Sequence, residues 1–555
     1  MLSEDFLLDK ANLDRIKDPE TRQAVVLLAN LLEQSLTDID GMRAEIQRLR
    51  DENNRLKGEQ GKPDIKPSKR PQQGPDGDHS SEKQRGTTGR TGKRAKNDTI
   101  VLDRTETLNL DRETLPADAK FKGYETVIVQ NLILKTDNIC FQREKYYSAS
   151  MGKTYLAPLP LGYEGAFGPD LKTLILTLHH LGNVSQPCVH TLLTNAGIQI
   201  STGWIGDFLI AEQEAFHAEK TAIGRAGLES SPWHGTDDTA TRVNGVNQHC
   251  HVLGNPLYTV YTTLAKKDRR AVLSVLQNGH PLLFLLTKEV LASEAATALP
   301  RKWRKLLSTW PLGKPMDEAS ATELLNVQMP TLGAQARKKL LDTMAVSGYQ
   351  AQTEVPVVDL LLCDDAPQFK LLTQNLGLCW VHDGRNYQKL TPHLPLHQEI
   401  LEAFKLKYWK YYSLLLDYQT HPTPEKRKRL WEEFDNLFVP DTGYAHLDHR
   451  IQQTAANKEN LLQVLAHPEI PLHNNASELA VRRRVRKRDV SFGPRSADGV
   501  AAWDTFQTIA ATAQKLGVSF IAYIADRISR RNEMPPLATI ITERARLMNL
   551  GASWK

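Results

Sequence analysis

Apolar side chains recur in steps of three and four near the start of the chain, where a long helix is predicted to begin at Asp18-Pro19-Glu20. Aspartate caps helix starts, and proline fits the first helical position. The a positions of the heptad pattern are Val25, Leu32, Ile39, Ile46 and Asn53. One asparagine among branched residues favours a parallel two-stranded coiled coil over residues 1–57. The alternative is an amphipathic helix packed on its own domain.

Residues 58–98 lose this pattern and consist largely of Gly, Pro, Ser, Gln and charged residues, which predicts a disordered basic linker. Six cations and no acid lie between positions 83 and 96, namely Lys83, Arg85, Arg90, Lys93, Arg94 and Lys96. We expect Lys93, Arg94 and Lys96 to contact DNA phosphates. A linker that only keeps the chain in solution is an equally good interpretation.

The next two segments mix short strand and helix patterns. Residues 99–165 predict a small β-rich module, with a β-like run over 124–134 and further strand near 145–157. Residues 166–225 predict three helices separated by glycine-containing turns, over 170–181, 185–196 and 201–217. This arrangement is typical of a helix-turn-helix that binds DNA, with 201–209 as its recognition helix. A plain helical hairpin explains the pattern equally well.

Residues 226–396 predict the first part of an α/β core, 397–465 a helical insertion, and 466–555 the C-terminal part of the core. The expected elements are strands over 239–246 and 249–263, a helix over 269–277, a β-like run over 282–286, a helical insertion at about 289–350, a strand over 355–363 and an amphipathic helix over 500–515. The run 355–363 is mostly apolar, which indicates a strand that is buried on both faces.

Three carboxylates lie where metal chemistry is expected. Asp237 is expected at the beginning of a strand, Asp364 directly after the buried strand, and Glu478 on a helix. Ligand groups gather at the carboxyl ends of strands in α/β sheets. Two strand acids and one helix acid offer the hard oxygen ligands that two Mg²⁺ (or Mn²⁺) ions need. Each acid taken alone is more often a turn or cap residue.

A basic run follows the third acid and consists of Arg482, Arg483, Arg484, Arg486, Lys487 and Arg488, interrupted only by Val485. On a helix, Asn475, Glu478, Arg482 and Arg486 share one face. We expect the basic run to bind a nucleic-acid backbone, and Asn475 to orient Glu478 or a metal-bound water. The alternative is a capping box made by Asn475 and Glu478, followed by a solvated basic face.

Composition narrows the classes of protein to consider. The 555 residues carry a net charge of only +5, so the chain as a whole is not a basic tail-like protein. The five cysteines are scattered and form no Cys-x-x-Cys pair, which favours a reducing compartment over a disulfide framework. No secretory signal or membrane-spanning apolar run is evident, so a cytoplasmic protein is expected.

The Cys379-x-x-His382 and His249-Cys250-His251 groups are half-sites for zinc, and core packing is the favoured interpretation.

Several segments resemble those of insertion-sequence-66 family (TnpC-type) transposases. They are Asp237-Asp238-Thr239 with Arg242-Val243-Asn244-Gly245, Cys379-Trp380-Val381-His382, and Asn474-Asn475-Ala476-Ser477-Glu478. The family has an Asp-Glu-Thr motif, a Ser-Asp-Gly-like motif followed by Cys-Trp-Ala-His, and Asn-Asn-x-x-Glu in this order. Gly493 and Ser496 match a loop downstream of these motifs, and the resemblance covers nearly the whole chain. Asp238 stands where the family usually has Glu, and Asp365 where it often has Gly, so Asp365 is an alternative to Asp364.

The resemblance implies a multidomain α/β chain with a ribonuclease-H-like catalytic core and helical insertions, preceded by the coiled coil and the helix-turn-helix-like region. Asp237, Asp364 and Glu478 would form its catalytic triad and hold two Mg²⁺ or Mn²⁺ ions. The family often has a cysteine-pair zinc module before the helix-turn-helix. Here that region contains only Cys140, and one thiolate cannot build a tetrahedral site, so no zinc is expected.

The expected function is that of a DNA transposase of a bacterial insertion sequence. One ion would activate water to cut the element end, the other would stabilise the leaving 3′-oxygen, and the freed 3′-hydroxyl would attack target DNA. The expected partners are double-stranded DNA (terminal inverted repeats and target), a second copy of the chain, and two small accessory proteins of the same element. Alternatives are a catalytically silent DNA-binding derivative and a structure-specific nuclease on the same fold.

Overall fold

The computed structural model describes residues 13–56, 100–110, 121–122 and 124–554. The predicted basic linker, with Lys93, Arg94 and Lys96, lies outside the described residues. The described part has many helices around one mixed sheet, which confirms the mixed α/β class. Of the helices described, none is both long enough and apolar enough to cross a membrane.

The strands are β1 Lys145–Ser148, β2 Lys153–Leu156, β3 Trp233–Val243, β4 Val246–Asn255, β5 Tyr258–Leu264, β6 Leu360–Cys363 and β7 Asn375–Leu378. The first two form an antiparallel hairpin, and the other five form a sheet in the order β5-β4-β3-β6-β7. Strands β3, β4 and β5 are antiparallel, whereas β6 runs parallel to β3 and β7 parallel to β6. The long strand β3 therefore joins an antiparallel half of the sheet to a parallel half.

The helices are α1 Pro19–Leu56, α2 Pro169–Leu176, α3 Gln186–Asn195, α4 Thr202–Ile210, α5 Glu214–Glu229, α6 Arg269–Leu276, α7 Lys288–Ala292, α8 Glu294–Thr297, α9 Arg301–Leu307, α10 Glu318–Gln328, α11 Ala334–Ala351, α12 Trp380–Gln388, α13 Pro395–Thr420, α14 Pro424–Leu437, α15 Ala445–Ala456, α16 Lys458–Leu461, α17 Gln463–Ala466, α18 Asn475–Ser491, α19 Ala497–Lys515, α20 Phe520–Ile528 and α21 Leu537–Met548. Helices α7–α11 and α13–α17 occupy the two segments in which helical insertions are predicted.

Three strand predictions need correction. The run 124–134 is exposed and has no regular secondary structure, and 282–286 contributes only an isolated bridge from Phe284 to Met316. Apolar, β-branched residues indicate that a segment fits a pleated surface, but a strand also needs a neighbour for its hydrogen bonds. The predicted strand over 239–246 in fact begins at Trp233, so Asp237 lies within the strand instead of at its beginning.

Helix α19 covers the edge of the sheet. On β5, the backbone N–H groups of Thr259, Tyr261 and Thr263 donate to side chains of α19 that lie four residues apart, with distances of 3.2, 3.0 and 2.7 Å. The acceptors are Thr512, Thr508 and Asp504. Two strand residues advance about 6.6 Å and four helix residues about 6 Å, so the two spacings match. The helix thus satisfies backbone groups that an edge strand leaves open.

The first half of α1 packs on the second insertion. Glu33 is 1% exposed, and its carboxylate accepts hydrogen bonds from the backbone N–H groups of His393 (2.7 Å) and Leu394 (3.1 Å). It also lies 3.0 Å from Nδ1 of His397. Leu394 is the N-cap of α13, where the helix dipole favours a negative charge. A carboxylate from α1 therefore completes the start of α13, as the packed-helix alternative predicts.

Candidate active site

The first two acids come from neighbouring parallel strands, Asp237 within β3 and Asp364 one residue past the end of β6. Gly235 of β3 is paired with Leu362 of β6, so the same register, continued by two residues, brings Asp237 level with Asp364. Adjacent strands are about 4.8 Å apart, and residues at level positions face the same side of a sheet. Asp364 directly follows β6, as predicted, and its carboxylate accepts a hydrogen bond from the N–H of Ala366 at 3.2 Å.

Helix α18 brings the third acid to the same side of the sheet. A Cβ on Gly235 would lie 2.9 Å from Ser477 Oγ and 3.0 Å from Asn474 Oδ1, so the glycine permits the helix start to approach β3 closely. Asn474 Nδ2 donates to the Thr236 carbonyl at 2.6 Å and ties the two elements together. Because side chains alternate along a strand, Gly235 and Asp237 face α18 together. Glu478 stands in the first turn of this helix.

The side chains at the start of α18 do not form the capping box considered as an alternative. The N-cap residue is Asn474, and it makes no side-chain cap hydrogen bond within the helix. The Glu478 carboxylate is directed instead to cations on two helices. Asn475 is buried, and its Nδ2 has no hydrogen-bond partner among the described residues. Its predicted role in orienting Glu478 stays a prediction.

Electrostatic interactions link the three acids. Burial, together with the negative charges of Asp364, Asp238 and Glu478, raises the pKa of Asp237 to about 7. One hydrogen bond, from the N–H of Asp238 at 2.8 Å, acts in the opposite direction. Carboxylates that are partly desolvated and close together repel one another unless a proton or a cation intervenes. An environment of this kind suits a bound cation.

Cations surround Glu478. Its carboxylate lies 3.5 Å from His382 Nε2 and 3.4 Å from Arg385 Nη1, both on α12. Arg482, one turn further along α18, lies 3.6 Å away. Burial lowers the pKa of His382, while the Glu478 charge opposes this effect. The sequence motif contained His382, but Arg385 was missed, although its position three residues later on one helix face was a usable signal.

The other candidate acids have different neighbours. Asp365 pairs with Lys370 at 2.7 Å and accepts a hydrogen bond from Asn457 at 3.3 Å. Asp238 alternates to the opposite face of β3, where Gln368 Nε2 donates to it at 3.0 Å. Asp364 is therefore better placed than Asp365 to act together with Asp237, in agreement with the preference drawn from the sequence.

Two cations of the basic run are buried, which corrects the prediction that they contact DNA. Arg484 is 0% exposed, forms an ion pair with Asp504 at 3.0 Å, and donates to Gln507 at 2.7 Å. Lys487 is 0% exposed and donates to the carbonyl of His179 at 2.6 Å. Both cations lie over the Trp503 ring. They point into the core because α18 is a helix with one face packed against α19.

The remaining cations of the run differ in exposure. Arg482 and Arg486 are exposed on the face of α18 that also contains Glu478, as their four-residue spacing predicts. Arg483 is half-buried and donates to Gln514, and Arg488 is half-buried and donates to the Ala240 carbonyl. Downstream, Ser496 accepts a hydrogen bond from the Gly499 N–H at 3.1 Å and caps α19.

The Cys379-x-x-His382 pair has a third neighbour that the sequence did not suggest. One ligand atom each from Cys379, His382 and Glu478 lies within 4.8 Å of the others. Burial, however, raises the pKa of the Cys379 thiol to about 11, and the N–H of Asn474 lies 3.3 Å from its sulfur. Metals bind the thiolate, so a thiol kept protonated by burial is a poor ligand. The oxygens of Asp237, Asp364 and Glu478 suit a hard cation better.

Comparisons with known proteins give one relative and no function. No family model matches the chain, and no solved structure matches it. The uncharacterized protein y4jO of Sinorhizobium fredii (strain NBRC 101917 / NGR234) is 31% identical over 321 residues, which are 58% of this chain and 99% of that protein. Nearly the whole of y4jO is therefore matched within this chain, and the chain belongs to the same family as y4jO.

Proposed function

We propose that the protein is a DNA transposase that cuts the ends of a bacterial insertion sequence and joins the 3′-hydroxyl to target DNA. The observation that carries this proposal is the convergence of Asp237, Asp364 and Glu478 on one side of the sheet, from three segments that are far apart in sequence. The resemblance of their surrounding motifs to insertion-sequence-66 family transposases supports the same function.

The sheet supports a ribonuclease-H-like core. Such a core has three antiparallel strands followed by two parallel strands, with acids on the first and fourth strands and on a later helix. Strands β3 to β7 follow this plan in order and direction. Helix α12 and the helices of the second insertion fill the long interval between β7 and Glu478. They return the chain to the sheet at Leu472, whose carbonyl accepts a hydrogen bond from the Trp380 N–H at 3.0 Å.

The residues present suit two Mg²⁺ or Mn²⁺ ions held by Asp237, Asp364 and Glu478. Bound ions would supply an activated water and stabilise the leaving 3′-oxygen. The protein's own part is to hold the acids in place and to keep them partly desolvated. No side chain needs to form a covalent intermediate with DNA in this reaction.

Exposed cations beside Glu478 account for DNA binding in this proposal. Arg482 and Arg486 extend along α18 away from the acids, so they suit phosphates next to the cut. Binding of this kind weakens with salt because counterions are released from DNA. Helices α3 and α4 would read the terminal inverted repeats as a helix-turn-helix. The proposal also places the protein in the cytoplasm, associated with the nucleoid when it is bound to DNA. Two small accessory proteins of the same element are its further proposed partners.

Self-association through α1 is part of the same proposal. Beyond its packed first half, α1 exposes an apolar stripe that includes Ile39, Met42, Ile46 and Leu49. These residues occupy a and d positions, which suits a coiled coil with a second copy. Two copies would bring two element ends together.

A silent DNA-binding derivative and a stand-alone nuclease are the alternatives. Decay of the chemistry is disfavoured because all three acids are retained and cluster. A nuclease would cut without joining, so the assay must score both steps.

The test is metal-dependent nicking and strand transfer on labelled DNA that carries the flanking ends of the genetic element. Wild type, Glu478→Gln and Asp489→Asn are compared; Asp489 is an exposed carboxylate on the same helix. We expect joined product with wild type and Asp489→Asn, and DNA binding without product for Glu478→Gln. Cutting without joining would favour the nuclease, and binding without cutting by wild type, with the accessory proteins added, would favour the silent derivative.

A further inference from the structure

A cavity lined by both polar and apolar side chains lies beside the acids, at the carboxyl ends of β6 and β7. Its volume is about 400 Å³. Asp364 and Asp365 form the wall next to the triad, and Leu378 and Leu461 supply apolar surface. Carboxyl ends of parallel strands are where α/β proteins bind ligands, and a volume of this size is within the range of about 300 to 1,000 Å³ typical of small-molecule sites.

The second helical insertion closes this cavity. Arg450 on α15 forms an ion pair with Asp383 on α12, and Thr454 donates to the same carboxylate at 3.0 Å. Asn457, the C-cap of α15, donates to Asp365 at 3.3 Å. Tyr408 on α13 also donates to Asp383, at 3.1 Å. The insertion is thus held rigidly against α12, and its inner face forms part of the cavity wall.

The groups that face the cavity suit a nucleotide. Arg385 on α12 and Lys389, the C-cap of this helix, present positive charge. Arg385 reaches Glu478 of the triad, and Lys389 donates to Asn386 at 2.9 Å. Asn386 on α12 and Asn457 at the end of α15 present amides from two different elements. Asp383 is already neutralised by Arg450, so Arg385 and Lys389 are the cations left in the wall for an incoming phosphate, beside the carboxylates of Asp364 and Asp365. Amides hydrogen-bond base edges, and a guanidinium plane stacks on a base.

We propose that this cavity receives one unstacked nucleotide of the DNA strand that is cut, immediately beside the scissile phosphate. Arg385 and Lys389 hold its phosphate, while Asn386 and Asn457 hydrogen-bond the base. This inference rests on the proposed function, because it takes Asp364 and Glu478 as the cutting site. Removing a base from the stack costs a few kcal/mol, which the cavity contacts offset. The second insertion, which supplies Asn457 to the cavity wall, would thus help to hold the DNA substrate.

The test uses the fluorescent base 2-aminopurine, which brightens when it leaves the stack. The base is placed at one position at a time on both sides of the cut, in duplex DNA carrying the element end, and DNA affinity and cleavage are measured in parallel. The proteins are wild type, the double variant Asn386→Ala/Asn457→Ala, Lys389→Gln, and the control Asn436→Ala, which removes an exposed amide from α14 of the same insertion.

We expect one position next to the cut to brighten with wild type and Asn436→Ala. The double variant should lose this signal and cut about thirtyfold more slowly, because the two lost hydrogen bonds cost about 2 kcal/mol together and each 1.4 kcal/mol is a factor of about ten in rate. Lys389→Gln, a change at an exposed position just after α12, should reduce the signal without affecting the thermal unfolding temperature.

Three results would overturn the inference in distinguishable ways. If wild type binds and cuts DNA but no position brightens, the cavity proposal is wrong and the transposase proposal stands. If wild type neither binds nor cuts in the presence of the accessory proteins, both proposals fail. If free 2-aminopurine deoxyribonucleotide binds in the cavity while the DNA positions stay dark, the ligand is a free nucleotide and the assignment to the DNA strand is wrong.

Discussion

Burial decides what each cation of the basic run does. Arg484 and Lys487 lie on the face of α18 that packs against α19, whereas Arg482 and Arg486 lie on the opposite, open face. The composition of the run is uniform, so it predicts DNA binding for all six cations. Only the three-dimensional packing separates the two buried ones, because the apolar positions of α18 are too few to mark its buried face.

Replacing Lys487 by Met should flatten the pH dependence of stability. Burial lowers the pKa of Lys487 to about 7, below its value of about 10.5 in the unfolded chain. Between these values the unfolded state binds more protons, so the free energy of unfolding rises with pH in wild type. Thermal melts between pH 7 and 9 should show a smaller rise for Lys487→Met. An unchanged slope would contradict the lowered pKa.

The same variant tests the correction of the DNA-binding prediction. Lys487→Met should bind DNA as wild type does, whereas Arg486→Gln should weaken binding and reduce the slope of log affinity against log salt by about one. Filter binding over a range of salt concentrations measures both effects. Equal losses in the two variants would mean that Lys487 reaches DNA.

Replacing Gly235 by Ala should disturb the site without removing any acid. The new methyl group would lie 2.9 Å from Ser477 Oγ, so the start of α18 must move away from β3. We expect a loss of about 1–3 kcal/mol in the free energy of unfolding and a large loss of DNA cutting. Gly41→Ala on α1 is the control, since a methyl group there would meet no described atom within 4 Å. Full cutting activity in Gly235→Ala would show that the approach of α18 is not tight.

At the scale of elements, long helices were predicted more accurately than strands. The start of α1 at Pro19 and the two helical insertions follow from apolar spacing and capping residues alone. Strand β3 begins earlier than predicted because His234, Gly235 and Asp237 have low strand propensity, and pairing with β4 and β6 overrides it. The convergence of the acids depends on strand register, which no local pattern specifies. The sequence context marks the three acids as candidate metal ligands, and the family resemblance predicts that they form one triad.

The contact between α19 and β5 gives a prediction at this scale. Thr508→Val should leave the Tyr261 N–H buried without its acceptor, at a cost of about 1–3 kcal/mol in the free energy of unfolding. Thr542→Val on the exposed side of α21 is the control and should change it by less than about 0.5 kcal/mol. Urea unfolding measures both. Equal stability of the two variants would mean that α19 does not complete the sheet edge.

At the scale of the whole molecule, α1 has two roles along its length. Its first half docks on the second insertion through Glu33, and its second half exposes the apolar stripe. The sequence pattern alone left docking and self-association as alternatives. The contacts establish docking for the first half, and the stripe leaves self-association as a proposal for the second.

Replacing Ile46 and Leu49 by Lys should therefore abolish dimers. Buried lysines at a and d positions would place unpaired charges in the seam between two helices. Sedimentation velocity should find wild type and the control Gln47→Lys as dimers and the double variant as a monomer, with unchanged melting of the core. A dimeric double variant would place the interface elsewhere.

The central claim is that Asp237, Asp364 and Glu478 form one divalent-metal centre, and a Mn²⁺ titration followed by electron paramagnetic resonance tests it most directly. Wild type, Asp237→Asn, Asp364→Asn, Glu478→Gln and the control Asp365→Asn are titrated side by side in the presence of DNA. We predict binding of two ions that each of the three triad substitutions weakens, with Asp365→Asn close to wild type. Wild-type affinity in all three triad variants would contradict the shared centre, and loss confined to Asp365→Asn would move the second acid to that residue.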